Sequence, residues 1–77
     1  MEKKMNRKTV ASSNIRSVGY NVEKQILELE FNSGLVYHYK EIGPVEVVQF
    51  IFAESLGNYF AKNIKSKYQY VKGEYNA

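Results

Sequence analysis

The stretch that decides the fold of this chain is LELEFNSGLVYHY, residues 27–39. Its first half places two leucines and Phe31 on one side and two glutamates on the other, which is typical of a half-buried β-strand. Asn-Ser-Gly follows, and glycine tolerates the positive φ that a hairpin loop often requires. VYHY then forms a second short strand. We therefore predict a β-hairpin at the centre of the fold.

The length of the hairpin loop decides which face the tyrosines occupy. A two-residue loop would mix apolar and charged residues on each face, whereas a three-residue loop places Leu29 opposite Tyr37 and Leu27 opposite Tyr39. A slip of one residue moves every side chain to the other face, so burial selects the three-residue loop. We expect Tyr37 and Tyr39 to face the core and define the fold rather than bind a ligand. His38 is expected on the outer face, in contact with solvent.

Strands come first in the chain and helices follow. Pro44 fits the first turn of a helix. The predicted fold class is α+β: a three-stranded antiparallel β-meander followed by two α-helices packed on one face. The predicted elements are strands over residues 15–22, 26–31 and 36–39, a helix from Pro44 to about Ser55 that Gly57 ends, a second helix over residues 58–67, and residues 68–71 as either a short final strand or an extended tail.

Length and composition exclude several classes of protein. A chain of 77 residues makes one small domain. It has no cysteine, which excludes a disulfide framework and a thiolate metal site. The basic N-terminus lacks the apolar segment of a secretory signal, and no run approaches the ~20 apolar residues of a membrane helix. We expect a cytoplasmic protein with neither a membrane nor a metal partner.

Few side chains suited to catalysis are present. The chain has no aspartate, and His38 is its only histidine. The spacing of its serines and glutamates favours no Ser-His-acid triad, a single histidine with scattered glutamates does not make a zinc site, and the glycines form no phosphate-binding motif. We predict no enzymatic activity and no cofactor.

The net charge of +3 is unevenly distributed. The first eight and the last sixteen residues each carry +3, and the residues between them carry −3. Basic ends attract phosphate, although terminal lysines also keep small proteins soluble. We expect a flexible basic arm over residues 1–9, a single domain over residues 10–70 and a flexible tail over residues 71–77.

Lysines and tyrosines alternate from the second predicted helix to the C-terminus. Proteins hold single-stranded nucleic acid by such a combination, because cations follow the backbone while aromatic rings stack on bases. A solvated lysine face is the plainer interpretation of the same helix. Our first hypothesis is a non-catalytic module that binds RNA. The candidate nucleic-acid-binding residues are Lys62, Lys65, Lys67, Tyr68, Tyr70, Lys72, Arg7 and Lys8.

The first predicted helix is apolar on nearly all sides. Val47 and Phe50 lie off the stripe expected to face the core, so we assign them to an interface, unless a small core simply wraps the helix. The alternative hypothesis is a small homo-oligomer that binds a partner protein or sequesters a small anionic nucleotide ligand between protomers. The stripe expected to face the core comprises Val48, Ile51, Phe52 and Ser55.

An ordered series of motifs runs along most of the chain. They are SNI at 13–15, VGY at 18–20, LELEF at 27–31, Gly34, YHY at 37–39, Pro44, AESLGNYF at 53–60, Ile64 and Tyr68. In this order they resemble the KTSC domain, a short module found in small bacterial and phage proteins and at the C-terminus of some lysyl-tRNA synthetases. The resemblance covers about residues 10–70. It implies a domain without established activity, for which attachment to a tRNA synthetase suggests an RNA-binding role.

The chain departs from the family pattern at two places. The family usually has Asn after its Tyr-Phe pair, where this chain has Ala61. The family also tends to carry Val-Pro at the helix start and a Tyr early in that helix, where this chain has Gly43, Pro44 and Val48. Any ligand contact of that Asn or Tyr would be missing here.

Overall fold

One antiparallel sheet with helices on one face makes up the domain. The computed structural model describes residues 8–9, 12 and 14–73, with only the backbone of Lys8 and Thr9. Within these residues the sheet has five strands in the order β1-β2-β3-β4-β5. The elements are β1 Lys8–Thr9, β2 Ile15–Asn21, β3 Ile26–Phe31, β4 Val36–Tyr39, α1 Pro44–Ile51, α2 Leu56–Tyr59, a π-helical turn Phe60–Ile64 that continues α2, and β5 Tyr70–Lys72.

The central hairpin has the predicted register, and the α+β prediction is confirmed. Leu29 pairs with Tyr37, and Leu27 pairs with Tyr39. The loop closes where the N–H of Phe31 donates to the carbonyl oxygen of Leu35 at 2.9 Å. Gly34 has φ +96°, a left-handed conformation that suits glycine. The predicted meander therefore corresponds to β2, β3 and β4.

Two short strands extend the sheet beyond the predicted meander. β1 pairs with β2, which places Lys8 and Thr9 in the sheet. Both residues were predicted to belong to the flexible N-terminal arm. β5 pairs with β4, so the C-terminal segment forms a short strand and not an extended tail. Val71 and Lys72 belong to this strand, although they were predicted to lie in the flexible tail. Both strands are short. Each forms because the strand beside it, β2 or β4, has an edge that is otherwise unpaired. The rest of the predicted arm and tail, residues 1–7 and 74–77, lies outside the described residues.

The helices differ from the prediction at their ends. α1 stops at Ile51 instead of near Ser55, because Ser55 begins the next helix. The Ser55 hydroxyl accepts a hydrogen bond from the N–H of Asn58 at 3.2 Å, which is an N-cap. Gly57 therefore lies inside α2 and does not end a helix. Within the described part of the chain, no helix has the length and apolar character of a membrane span.

The buried face of α1 is the opposite of the predicted one. Phe50 is 0 % exposed and Val47 is 6 % exposed, while Phe52 is 81 % exposed and Val48 is 50 % exposed. The assignment of Val47 and Phe50 to an interface is therefore wrong. Both faces of the helix are apolar, so the hydrophobic pattern alone does not decide which face is buried. The face with Val47 and Phe50 is buried because it packs into the core.

The core lies between the inner face of the sheet and the helices. Tyr39 is 1 % exposed and belongs to it, as predicted, while Tyr37 is partly buried and packs against it. The helices contribute Phe50 and Ile64, both fully buried. The core residues are Ile15, Val18, Leu27, Leu29, Tyr39, Ile42, Val47, Phe50, Leu56 and Ile64.

His38 and Glu28 pair on the opposite face of the sheet. The two residues are register partners on β4 and β3, with His38 Nε2 and Glu28 Oε2 3.1 Å apart. His38 is 1 % exposed and Glu28 is 2 % exposed. Alternation assigned both residues to the outer face correctly, but the expectation that His38 meets solvent is wrong.

Candidate functional site

A groove runs between the β3–β4 hairpin and the second helix, which comprises α2 and its π-helical turn. Its volume is about 420 Å³. This falls within the range of small-ligand pockets, roughly 300–1,000 Å³. Its lining residues are Asn14, Ile15, Phe31, Asn32, Ser33, Leu35, Tyr37, Tyr39, Gly57, Phe60, Ala61 and Lys65.

Four aromatic rings form the apolar walls of this aromatic groove. Phe31 meets Tyr37 edge to face, with centroids 5.4 Å apart, and meets Phe60 at 5.5 Å. Phe60 also contacts Tyr39 edge to face at 5.5 Å. Burial raises the pKa of Tyr39 to about 12, and the nearby Tyr70 and Tyr37 add to the shift. The walls of the groove are therefore mainly flat aromatic rings.

Tyr70 extends this aromatic surface beyond the groove. Its ring stacks on Tyr37 with centroids 4.8 Å apart and an angle of 5° between the planes. It lies 5.3 Å from the Tyr39 ring at a tilt of 37°. Tyr39 and Tyr70 are register partners on β4 and β5. The edge strand β5 thus adds a half-exposed ring next to the buried ones.

The π-helical turn orients the helical wall of the groove. The N–H of Lys65 donates to the carbonyl oxygen of Phe60 at 2.9 Å. A hydrogen bond between residues five apart widens the turn, and such turns often occur at functional sites. Phe60, Ala61 and Lys65 consequently all line the groove. In an α-helix, Phe60 and Lys65 would point in clearly different directions.

A β-bulge supplies Ile15 to the end of the groove. The register shifts between Ile15, which pairs with Phe31, and Ser17, which pairs with Glu30. Arg16 is therefore the extra residue of β2, and the shift places Ile15 on the core face. The bulge explains how Ile15 is 0 % exposed although simple alternation would place it with Ser17.

Polar groups and one cation surround the aromatic walls. The main-chain N–H of Asn32 donates to the carbonyl oxygen of Asn14 at 2.8 Å, which holds the hairpin loop against the segment before β2. Among the described residues that line the groove, Lys65 is the one cation and there is no carboxylate. This composition favours a flat ligand that carries negative charge.

Gly57 keeps the helical wall close to Asn14. A Cβ atom at Gly57 would lie 3.4 Å from Asn14 Nδ2, at the border of ordinary van der Waals contact. The backbone of Gly57 is not in the left-handed region, so a side chain there would meet Asn14 without backbone strain. A larger residue would therefore reduce the width of the groove.

The structure separates the predicted nucleic-acid-binding residues. Lys65 lines the groove and Tyr70 stacks beside it. Lys72 pairs with Tyr37 across β4 and β5, so the two side chains share one face of the sheet. Lys62 is exposed on the second helix. Of the basic arm, Arg7 and the side chain of Lys8 lie outside the described residues.

Lys67 and Tyr68 contact Glu46 instead of the groove. The Tyr68 hydroxyl donates to Glu46 Oε1 at 3.0 Å, and Lys67 Nζ lies 3.8 Å from the same oxygen. Tyr59 donates to Glu46 Oε2. The Tyr59 hydrogen bond is the main cause that holds the pKa of Glu46 below its ordinary value, and Tyr68 and Lys67 act in the same direction. This cluster joins α1 to the second helix and the segment after it.

No metal site is visible in the described residues. They contain no group of three or more histidine or acidic side chains close enough to hold an ion. The His38–Glu28 pair is only 1–2 % exposed.

Comparison with known proteins identifies the family. The sequence profile of the KTSC domain matches residues 11–68. This chain belongs to the KTSC domain family. A KTSC domain protein from Yersinia pestis, of known crystal structure, is 34 % identical to it, with a TM-score of 0.84 over 90 % of this chain and 97 % of the other.

Two proteins of similar length are also similar to this chain. An uncharacterised protein of Stutzerimonas stutzeri (strain A1501) is 43 % identical over 64 residues, which is 83 % of this chain and 90 % of the relative. A protein of Tsukamurella paurometabola is 36 % identical over 62 residues, covering 80 % and 92 %. These relatives show the family and assign no activity.

Four of the motifs that carry the KTSC resemblance meet at the aromatic groove. Asn14 comes from the SNI motif, Phe31 and Tyr37 from the two hairpin motifs, and Gly57 and Phe60 from AESLGNYF. The departure at Ala61 also falls on the groove wall. Segments that are distant in the sequence thus form one surface.

The sequence prediction missed most of this site. Phe31 was predicted on the inner face of its strand, Gly57 was predicted only to end a helix, and Asn14 and Phe60 were assigned no site role and appeared within the family motifs. The family motifs contained these four residues, so their co-occurrence was the available signal. Hydrophobic patterning could not separate a core ring from a groove ring, because both are apolar residues on the inner face.

Proposed function

We propose that this KTSC domain is a non-catalytic RNA-binding module whose aromatic groove takes an unpaired base. The observation that carries the proposal is a groove with aromatic walls, one lysine and no carboxylate among its described lining residues. Bases stack on aromatic side chains, and in RNA the accessible bases are those of single-stranded segments. Lys65 would contact the phosphate next to the bound base.

This proposal changes the surface that was predicted from the sequence. Lys65, Tyr70 and Lys72 stay in the proposed binding surface, and Lys62 remains a predicted phosphate contact. Lys67 and Tyr68 have a smaller role in it because Glu46 already engages both. Arg7 and Lys8 remain predicted phosphate contacts.

A binding assay with a single-charge variant tests the proposal. Fluorescence anisotropy would measure binding of short single-stranded RNA of mixed sequence at about 50 mM and about 200 mM salt. On a single strand, each phosphate contact contributes about 0.7 to the magnitude of the slope of log K against log salt. We expect Lys65→Ala to weaken binding and to lower the magnitude of that slope by about 0.7.

Lys24→Ala is the matched control. Lys24 is an exposed lysine in the turn between β2 and β3, at the opposite end of β3 from Phe31. Its loss should change affinity much less than the loss of Lys65. Absence of RNA binding by the wild-type protein at low salt, or equal effects of the two variants, would contradict the proposal.

Self-association is a second candidate function, supported by the exposed apolar face of α1. Four neighbouring residues there are between 45 % and 81 % exposed, and such patches often mark interaction sites. A second copy of the chain could cover this patch. Light scattering after size exclusion tests this self-association. Phe52→Ser should lower the mass of the assembly. A wild-type protein that stays monomeric at high concentration would exclude self-association. The patch comprises Val45, Val48, Ile51 and Phe52.

A further inference from the structure

The stacked pair Tyr37 and Tyr70 spans the boundary of the aromatic groove. Tyr37 is one of the residues that line the groove, and Tyr70 is not. The rings are 4.8 Å apart and nearly parallel, at 5°. Tyr70 remains 49 % exposed although it contacts two other tyrosines. One ring of the pair therefore faces the groove while the other presents aromatic surface outside it.

The groove itself is too small for more than about one nucleotide. At about 420 Å³, it lies toward the lower end of the range for pockets that hold a single small molecule. A second base attached to the first would have to lie outside. Tyr70 is the ring of this aromatic cluster that extends past the groove on the same face of the sheet, since it pairs with Tyr39 on β4.

Two lysines flank this aromatic surface. Lys65 lines the groove on the helical side. Lys72 follows Tyr70 by two residues on β5 and is the register partner of Tyr37, so it lies on the same face of the sheet. Both side chains are exposed. A positive charge on each side of a stacking surface suits a ligand with more than one phosphate.

We propose that the ligand of this domain is a single strand of at least two nucleotides, with one base in the groove and the adjacent base stacked on Tyr70. This inference rests on the proposed function and deepens it. Lys65 and Lys72 then contact successive phosphates. A duplex does not fit, because both bases must be unpaired to present their faces to the rings.

Wild-type protein and three ligands provide the test. Isothermal titration would compare uridine monophosphate, the dinucleotide UpU with a 5′-phosphate, which supplies two successive phosphates, and the same 5′-phosphorylated UpU with its second base replaced by an abasic ribose. Stacking of one further base is expected to strengthen binding by about five- to a hundredfold. UpU should therefore bind at least about fivefold more tightly than the abasic dinucleotide.

A pair of variants assigns the gain to Tyr70. Tyr70→Ala should abolish the gain, so that this variant binds UpU and the abasic dinucleotide equally, and Tyr70→Phe should retain the gain. Circular dichroism of both variants checks that the overall fold is retained. Equal affinity of all three ligands would overturn the inference and leave the proposed function standing, whereas binding of none of them, with no binding of longer RNA, would overturn both.

Discussion

The Tyr59 hydroxyl donates a hydrogen bond to Glu46 Oε2, and this bond joins the second helix to α1. Tyr68 donates to the other carboxylate oxygen at 3.0 Å. Because Gly57, Phe60 and Lys65 form the helical wall of the aromatic groove, the position of that helix sets the width of the groove. Glu46 thus supports the proposed site without lying in it.

Replacement of Glu46 should lower stability in a pH-dependent way. Its pKa in the folded protein lies below the ordinary value of 4.5, chiefly because Tyr59 donates to it. The folded state therefore binds protons less readily than the unfolded state, so the stabilisation is present above pH 4.5 and is lost as the pH falls through the folded pKa. We expect Glu46→Gln to cost about 1 kcal/mol at pH 7 and progressively less as the pH falls below 4.5. Urea unfolding at several pH values measures this.

Glu54→Gln is the control for the Glu46 variant. Glu54 is an exposed glutamate beyond the end of α1. Its replacement should change stability by less than about 0.5 kcal/mol. A Glu46→Gln effect that does not decrease as the pH falls from 7 to well below 4.5 would contradict the role assigned to the ionised carboxylate.

Tyr59 should ionise late in an alkaline titration. Its hydrogen bond to Glu46 raises its pKa from 10.0 to about 12. The folded state therefore holds this proton more tightly than the unfolded state. The resulting stabilisation is fully present below pH 10 and is lost as the pH rises through about 12. NMR of the tyrosine rings would follow the titration.

The cause of the Tyr59 shift can be isolated with Glu46→Gln. This variant removes the carboxylate that accepts from Tyr59, so the midpoint for Tyr59 should move toward 10. Tyr39, whose shift to about 12 comes mainly from burial, should keep its midpoint. Parallel movement of both midpoints would instead indicate a general change of structure.

Two phenylalanines of similar sequence context should respond very differently to truncation. Phe50 is fully buried, and Phe52 is 81 % exposed. Phe50→Ala should cost about 3–5 kcal/mol because it leaves a cavity in the core. Phe52→Ala should change the free energy of unfolding by less than about 0.5 kcal/mol. Comparable losses in urea unfolding would mean that the other face of α1 enters the core.

Gly57→Ala should weaken RNA binding without lowering stability. The added Cβ would lie 3.4 Å from Asn14 Nδ2 and narrow the groove. Alanine favours a helix by about 0.5–1 kcal/mol over glycine, so reduced binding could not be attributed to unfolding. Anisotropy and thermal unfolding together measure both effects.

Gly43→Ala provides the comparison for this variant. Gly43 precedes α1, and a Cβ there would meet nothing within 4 Å. It does not line the groove, so RNA binding should be retained. Weaker binding by both glycine variants would argue against a specific effect at the groove wall.

The sequence determined the central hairpin and the fold class. Apolar and polar residues alternate along the hairpin strands, and only one register places all the apolar residues on one face. That register pairs Leu27 with Tyr39 and Leu29 with Tyr37, as the structure shows. A one-residue slip would expose that face to water, so local pattern and burial favour the same answer. The ordered motifs also indicated the family, and the match of the KTSC profile to residues 11–68 confirms it.

Only the tertiary structure decided which apolar face of α1 is buried and where a site could form. Val47 and Val48 are equally apolar, but Val47 is buried and Val48 is half exposed. The difference arises because only the side of the helix that carries Val47 packs into the core. The short strand β5 carries no strong pattern of its own, and it forms because β4 offers an open edge. The aromatic groove brings together residues from Asn14 to Lys65, so its existence depends on packing between segments that no local pattern relates.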